Sequence, residues 1–365
     1  RLIIIRAIAR NILRVKDALR QVFMGDTVID MGPFLEPKVS IFWINYNSMH
    51  VINIIKASLN ALMCLKYSNY EVIVVDNGST DGSLGVIEDH LRKIGNRHEV
   101  KLVKLSRNIG FAGGANAAYR VRDERSKYVA IVNNDAIPSL NYLKELVTFM
   151  EDHEDVGAVQ GLVLRLDSDK IDSAGGFIDD FLNIHFPLTN KHPEAIRKPI
   201  YVSYVEGTMP LYRVEAIKRS LKHTRYMYVP YCYFYHLEDL FLSLMLWNNN
   251  YKCIVLPTIA GKHYRQATLK KYQIQVNLPY YDTRNSLALL YMTNSKEKPL
   301  IMLRILRQLL YSRLARWRRR ELINILREAF EIGRRLKEEY GTIDIYKAPL
   351  LKTSLKKRLK AMLTL

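Results

Sequence analysis

The sequence predicts an α/β fold in which a mainly parallel sheet is flanked by helices. Apolar, β-branched runs at 38–47 and 70–83 each stop at a polar turn, and the stretch between them, 49–65, has helical spacing. Strands that are apolar throughout are typical of parallel sheets covered on both faces. The chain has 365 residues, of which 48% are hydrophobic, so it can bury one large core or two modest ones.

The same alternation continues along the chain. Strands are expected at 100–108 and 128–136, with a helix between them over 117–126. Beyond residue 150 the pattern weakens to strands at 157–168, 199–213 and 252–264, with a helix at 236–249. From Pro299 a long helical zone begins, with one apolar stripe formed by Leu303, Leu306, Leu310, Leu314 and Trp317. We therefore predict three regions: an N-terminal amphipathic helix with its linker at 1–36, an α/β domain at 37–295 and a basic helical region at 296–365.

Charge is concentrated near the C-terminus. Basic residues outnumber acidic residues by 55 to 36, for a net charge of +19. From Lys296 onward there are 19 basic and 7 acidic residues, so this segment contributes +12. Such a block indicates an anionic partner, namely a membrane surface, nucleic acid or a phosphate-bearing substrate. The alternative is a solvated helical face.

Cysteine usage and hydropathy favour a cytoplasmic protein. Cys64, Cys232 and Cys253 are odd in number and widely spaced, which predicts neither a disulfide framework nor a zinc site. No apolar run approaches the roughly 18 residues needed to span a bilayer. The apolar start at 1–15 is interrupted by arginines, so it could lie on a membrane but not cross it. There is no initiating Met and no cleavage-site pattern, and we predict no signal peptide.

Polar side chains follow four of the predicted strands. Asn45, Asp76, Asn108 and Asp135 each come after the carboxyl end of a strand. Ligands of open α/β sheets bind beyond these ends, and a parallel sheet would collect all four residues along one edge. One shared site is therefore the simplest interpretation.

The segment 133–135, with sequence NND, is a candidate metal site. Asn133, Asn134 and Asp135 offer two amides and one carboxylate, which are hard oxygen donors suited to Mg²⁺ or Mn²⁺. With a single formal charge the segment would bind a free ion poorly, so a substrate diphosphate is expected to complete the site. The alternative is a polar turn that satisfies backbone groups at the strand end.

Two glycine-containing stretches are candidates for nucleotide binding. Asp76 could accept hydrogen bonds from a base or ribose, or could form an Asx turn before a helix capped by Ser79 or Asp81. Glycines at 107–119 would let the backbone approach a phosphate or sugar. The chain contains neither GxGxxG nor GxxxxGK[ST], so the dinucleotide and P-loop fingerprints are absent.

Three further positions carry titratable or charged groups at element ends. Glu238 and Asp239 begin a predicted helix, where acids complement the helix dipole but could also supply a general base. His263 follows a strand, as a ligand or as a structural hydrogen-bonding group. Arg284 begins a helix, where it could contact a phosphate or pair with an acid.

Six stretches in this order resemble those of family 2 glycosyltransferases with the GT-A fold, particularly the rhamnosyltransferase-like branch. They are INYN, VVDNGSTDGS, RNIGFAGGANAAY, VNNDA, HLED and YYDTRN, and the resemblance spans residues 38–290. It implies a Rossmann-like, mainly parallel sheet. It further implies an inverting transfer of a sugar from a nucleotide diphosphate donor, with Mg²⁺ or Mn²⁺ as cofactor.

The resemblance also implies roles for single residues. Asp239 would be the catalytic base with Glu238 beside it, Asp135 and His263 the metal residues, and Gly207 an acceptor-side residue. The donor would be held by Asn45, Asp76, Asn108, Gly110, Gly113, Asn116, Asn133, Asn134 and Arg284. The sequence departs from the family pattern at Asn133, which replaces the first acid of the DXD motif, and at Phe241, Met245 and Asn250.

The expected donor is a UDP-sugar, with dTDP-rhamnose second, and the expected acceptor is a glycan or a polyprenyl-phosphate-linked glycan. The basic ends would then suit a peripheral position on the cytoplasmic face of a membrane. One alternative is a nucleic-acid-binding protein that uses the basic C-terminal helices, which would account for the charge but not for Asp76, Asp135 and Asp239. Another is a nucleotidyltransferase, which the absence of a Lys-bearing glycine loop near the first strand disfavours.

Overall fold

The structure is a computed structural model that describes residues 36–94, 98–222, 225–229, 237–264, 278–303 and 319–352. The predicted N-terminal helix, Cys232 and every residue of the apolar stripe after Leu303 lie outside these residues. From Pro37 onward the chain forms one unit.

Within the described residues, the main strands and α-helices of the unit are the following. The strands are β1 Val39–Asn45, β2 Tyr70–Asp76, β3 Glu99–Lys104, β4 Tyr128–Asn133, β5 Ala136–Pro138, β6 Val156–Arg165, β7 Ile171–Ser173, β8 Phe177–Asp179, β9 Ile184–His185, β10 Ile200–Tyr201, β11 Pro210–Arg213, β12 Lys252–His263 and β13 Leu350–Leu351. The helices are α1 Ile52–Leu62, α2 Ser83–Ile94, α3 Gly110–Val121, α4 Tyr142–Asp152, α5 Val214–Leu221, α6 Glu238–Asn248, α7 Leu278–Met292 and α8 Arg319–Tyr340.

The main sheet has the strand order β10-β12-β6-β11-β4-β1-β2-β3. Strands β3, β2, β1 and β4 run parallel, and β12 is parallel to β6. Strand β11 is antiparallel to both β4 and β6 and joins the two parallel parts. This arrangement confirms the predicted fold class of a Rossmann-like mixed sheet flanked by helices.

The parallel strands are buried on both faces. In β1, Phe42 contributes to a core shared with α3 and α6, whereas Trp43 faces the core shared with α1 and α4. All seven residues of β1 and of β2 are buried. Double burial explains why these strands are continuous apolar runs in the sequence.

Three sequence expectations need correction. The helix expected over 117–126 begins earlier and ends earlier, because α3 runs from Gly110 to Val121 and contains the glycines of 107–119. The run 199–213 is not one strand but two, β10 and β11, separated by a segment whose backbone pairs at Tyr204 with Gly176. The C-terminal region is not helical throughout, since β13 pairs with β8 in a second, three-stranded sheet.

The C-terminal region packs on the α/β domain. Tyr340 of α8 makes an edge contact with the ring of Phe241 in α6, and the side chain of Asn248 accepts a hydrogen bond from the Asp344 amide. No helix within the described ranges is long and apolar enough to cross a membrane. Cys64 and Cys253 are free thiols.

Candidate active site

The carboxyl ends of β1, β2 and β4 bring the predicted polar residues together. Asn45 and Asp76 are register partners, and the side-chain amide of Asn45 donates a hydrogen bond of 2.9 Å to Asp76 Oδ1. Asn134, in the turn after β4, donates to Asn45 Oδ1 at 3.2 Å. Three parallel strand ends are thus joined by side-chain hydrogen bonds, as the edge argument predicts.

Asp76 closes the turn that follows β2. Its Oδ2 accepts a hydrogen bond of 2.9 Å from the Ser79 amide, three residues on, so this turn is one residue longer than the Asx turn considered from the sequence. Gly78 makes this turn possible, because its φ is +76° and a Cβ at this position would lie only 2.5 Å from the Arg107 backbone. Asp81, not Ser79, binds the first amide of α2, because its Oδ1 accepts a hydrogen bond from the Ser83 amide.

Asn108 and Asn77 hold the beginning of α3. Asn108 Oδ1 accepts hydrogen bonds from the Gly110 amide at 2.8 Å and from the Asn77 side chain at 3.1 Å. Gly113 leaves room for Ile109, whose side chain would lie 2.8 Å from a Cβ at this position. The start of α3 therefore lies next to the Asp76 turn. Gly113 has a structural role there, because a larger residue would press on the side chain of Ile109.

Asn116 does not point toward this edge. It is buried, and its side-chain carbonyl accepts hydrogen bonds from the amides of Met227 and Tyr228 while its NH₂ donates to the Tyr228 carbonyl. Both polar ends of the amide are used by the backbone, and the direct donor contact expected for Asn116 stays a prediction. Asn116 instead fixes the segment that carries Tyr228.

Asp135 belongs to a buried chain of three side chains. Its Oδ1 lies 3.0 Å from His263 Nε2, and His263 Nδ1 lies 2.8 Å from Asp172 Oδ2. Burial lowers the pKa of His263, but the two carboxylates more than offset this effect and raise it to about 9. The strand pairing of His263 with Ala136 places the two predicted metal residues side by side.

Asp239 lies at the start of α6, against the loop that precedes β11. Its Oδ2 accepts a hydrogen bond of 3.0 Å from the Gly207 amide, and its Oδ1 accepts one of 2.8 Å from the Leu240 amide. The next residue of the loop, Thr208, accepts a hydrogen bond from the Asn133 amide at 3.0 Å. A Cβ at Gly207 would make ordinary van der Waals contacts with Phe111 at 3.7 Å and with Asp239 at 3.8 Å, so Gly207 lies next to both side chains.

Glu238 is partly buried beside Asp239, and its Oε2 atom is shielded from solvent. Burial, and then the negative charge of Asp239, raises the pKa of Glu238 to about 8. Its Oε2 makes no hydrogen bond to any described residue. The backbone enters α6 through Leu237, which has a φ of +75°. For a bulky residue this left-handed conformation is strained.

Arg284 lies outside this set of contacts. Its guanidinium group donates to Glu328 of α8 at 3.3 Å and to Asn285, and it stacks over the ring of Tyr281 at 4.7 Å. Of the two uses considered for it, the structure shows pairing with an acid. These partners join α7 to α8, and the donor contact expected for Arg284 stays a prediction.

Sequence reasoning missed two residues of the site. Asn77 lies in the same motif as Asp76 and was not singled out. Its position directly after the end of β2 could have indicated a role. Asp172 sits in a three-residue strand without a motif, and nothing in the sequence indicates its contact with His263. Among the described residues, no three His, Cys, Asp or Glu side chains form a preorganised metal site.

Comparisons with known proteins agree with this architecture. A family model described as "Glycosyl transferase family 2" matches residues 40–221, about half of the chain. An uncharacterized glycosyltransferase of Haemophilus influenzae is 28% identical over 123 residues, which cover 34% of this chain and 36% of that protein. The putative glycosyltransferase EpsE of Bacillus subtilis is 26% identical over 117 residues, covering 32% of this chain and 40% of EpsE. The aligned part is thus less than half of each relative.

A solved structure supports the fold over a larger part of the chain. The mannosyltransferase PcManGT from Pyrobaculum calidifontis, solved with GDP-Man and Mn²⁺, is similar with a TM-score of 0.50 and 16% identity, over 90% of this chain and 82% of that chain. The sheet topology and this likeness show the GT-A fold. The chain belongs to glycosyl transferase family 2.

Proposed function

We propose that this protein is an inverting glycosyltransferase that moves a sugar from a nucleotide diphosphate donor to a hydroxyl group of a glycan or lipid-linked acceptor. One observation carries the proposal. Hydrogen bonds lead from Asp76 through Asn45 to Asn134, and from the neighbouring Asn133 through Thr208 and Gly207 to Asp239. Acids about 160 positions apart thereby lie along one sheet edge, where a donor and an acceptor could meet.

The nucleotide would bind at the β1, β2 and α3 end of this edge. Asp76, Asn45 and Asn108 offer carboxylate and amide oxygens for hydrogen bonds to base and ribose. The first turn of α3 could add backbone amides that follow the Gly110 amide, which already donates to Asn108. The fold likeness to a mannosyltransferase solved with GDP-Man and Mn²⁺ supports a nucleotide-sugar donor. A UDP-sugar is our first choice and dTDP-rhamnose the second.

The residues present fit a divalent cation. Asp135 offers a hard carboxylate oxygen, and His263 Nε2 lies 3.0 Å from it. Mg²⁺ and Mn²⁺ both accept carboxylate oxygen, and Mn²⁺ also accepts imidazole. Asp135 and His263 would hold the ion together with the donor diphosphate. When bound, it would neutralise the charge that develops on the leaving diphosphate.

Asp239 would act as the general base. It would take the proton of the acceptor hydroxyl while that oxygen forms a bond to the anomeric carbon and the bond from this carbon to the diphosphate breaks. Attack from the face opposite the leaving group inverts the configuration. The Gly207 and Leu240 amides hold the carboxylate in place. A protonated Glu238 leaves Asp239 as the charged member of the pair.

A donor screen tests the proposal. Purified protein is incubated with UDP-, GDP- and dTDP-sugars, with Mn²⁺ or Mg²⁺ and candidate acceptors, and the released nucleoside diphosphate is measured. We expect one donor class to be turned over, faster with acceptor than without. Failure of every nucleotide sugar, with intact folding shown by circular dichroism, would contradict the proposal.

We further propose that the enzyme works at an anionic membrane surface on the cytoplasmic side, on an acceptor such as a polyprenyl-phosphate-linked glycan. Helix α8 supports this idea. Ile325, Ala329 and Leu336 are buried, whereas the opposite stripe exposes Ile323, Arg327, Phe330 and Arg334. Exposed apolar groups interleaved with arginines fit an anionic lipid interface.

Liposome flotation tests the membrane proposal. We expect the protein to float with anionic vesicles at low salt, less so at high salt, and not with neutral vesicles. The double variant Ile323→Ser with Arg327→Glu should reduce flotation, whereas Val121→Ser, which alters an exposed apolar residue of α3, should not. No binding of the wild type to anionic vesicles would end the idea.

A further inference from the structure

Asp172 contacts His263, the histidine of the candidate metal site, at the ring nitrogen that does not face Asp135. The carboxylate is 2% exposed, and its Oδ2 lies 2.8 Å from His263 Nδ1. The other ring nitrogen, Nε2, faces Asp135 Oδ1 at 3.0 Å. Both nitrogens of the ring are therefore engaged, one by each carboxylate.

The main sheet fixes this arrangement. Strand β7, which carries Asp172, pairs with β6 through Val163↔Ser173 and Leu164↔Ile171. Strand β12, which ends at His263, pairs with the same strand through Arg165↔His263. A single strand thus positions both residues, and the contact does not depend on a flexible loop.

An imidazole can present either nitrogen to a ligand, and the hydrogen bond at the other nitrogen decides which one is presented. Histidines that bind metals usually donate their second N–H to a carboxylate or carbonyl, which also fixes the ring plane. Asp172 holds Nδ1, so only Nε2 is directed toward Asp135. Its neighbour Ser173 has different partners, Gln160 and Glu206.

We propose that Asp172 is a positioning residue for His263, which keeps the Nε2 atom directed at the cation and diphosphate of the donor. The inference rests on the proposed function for its metal, but the contact between Asp172 and His263 can be tested without a metal. Asp172 itself touches neither the donor nor the cation in this role.

The first test uses the metal-free protein. In samples with ¹⁵N-labelled histidine, the Nδ1–H resonance of His263, assigned by its loss in His263→Gln, should be protected from exchange with water. We expect Asp172→Ala to abolish this protection and Asp172→Asn to retain part of it, because the Asn carbonyl can still accept the bond. Asp169→Asn is the matched control, since this aspartate lies three residues earlier, is 79% exposed and pairs with Lys262.

The second test measures Mn²⁺ binding in the presence of UDP by electron paramagnetic resonance. Asp172→Ala should weaken binding about 10- to 100-fold, the usual effect of removing such a partner. Asp172→Asn should weaken binding less, and Asp169→Asn not at all. The double variant Asp172→Ala with His263→Ala should bind no more weakly than His263→Ala alone, because Asp172 acts through the histidine.

The outcomes separate this inference from the proposed function. If the wild type takes up no Mn²⁺ with any nucleoside diphosphate, the proposed cofactor fails, and protection of Nδ1–H still decides the role of Asp172. The inference would be overturned if folded Asp172→Ala protected the Nδ1–H of His263 from exchange as well as the wild type does. It would also be overturned if this variant bound Mn²⁺ with wild-type affinity. A double variant whose losses simply add would also overturn it.

Discussion

Glu238 makes the stability of this protein depend on pH in a way that one substitution can remove. Its pKa is raised from the ordinary 4.5 to about 8 in the folded state, first by burial and then by the charge of Asp239. Between these values the unfolded chain loses the proton while the folded protein keeps it. The free energy of unfolding therefore falls as pH rises, by about 1.4 kcal/mol for each pH unit.

The size of the effect follows from these values. Below pH 4.5 the titration of Glu238 leaves the free energy of unfolding unchanged. Above pH 8 it lowers that free energy by the full amount, about 5 kcal/mol. Glu238→Gln cannot ionise, so it should be more stable than the wild type, with an advantage that grows by about 3 kcal/mol between about pH 5.5 and 7.5. Contributions of titratable groups that do not interact with Glu238 cancel in the difference.

Urea unfolding followed by tryptophan fluorescence at several pH values measures this difference. Glu215→Gln is the matched control, because Glu215 also lies in the first turn of a helix but is exposed and paired with Arg219. Asp239→Asn should flatten the pH dependence of the wild type, since it removes the neighbouring charge. The reasoning would be refuted if the difference in free energy of unfolding between Glu238→Gln and the wild type stayed constant or shrank as the pH rises.

Three further predictions follow from the site and its turns. Asp239→Asn should lower turnover by about 10² to 10⁴ with little change in donor affinity, as steady-state kinetics and calorimetry would show; full activity would remove Asp239 from the role of base. EDTA should abolish transfer and Mn²⁺ or Mg²⁺ should restore it, so activity that persists in the chelator would exclude a required metal at Asp135. Gly78→Ala should destabilise the protein by more than about 1 kcal/mol, because φ is positive and the new Cβ would meet the Arg107 backbone. Gly85→Ala, in open space on α2, should stabilise it by about 0.5–1 kcal/mol, and equal effects in thermal unfolding would contradict this account.

The sequence was sufficient for the parts of the fold that local patterns determine. Continuous apolar runs indicated strands buried on both faces, and parallel pairing then required Asn45 and Asp76 to meet at one edge. The same logic could not reveal β13, because two residues carry no periodicity and their pairing with β8 is a long-range contact.

Residue roles were harder to predict than positions. An amide such as Asn116 looks the same in sequence whether it meets a ligand or, as here, the backbone at 227–228. Arg284 had a phosphate and an acid as possible partners, and only the packing of α8 against α7 supplies Glu328. Asp172 could not be found at all, since its link to His263 spans 91 positions and depends on both strands pairing with β6.

The most direct test of the shared site is calorimetric binding of nucleoside diphosphates with Mn²⁺ to three proteins: the wild type, Asp135→Asn and Asp239→Asn. We expect one nucleoside diphosphate to bind the wild type and Asp239→Asn alike, and to bind Asp135→Asn at least tenfold more weakly. If no nucleoside diphosphate binds the wild type, or if Asp135→Asn binds it equally well, the sheet edge is not the donor site.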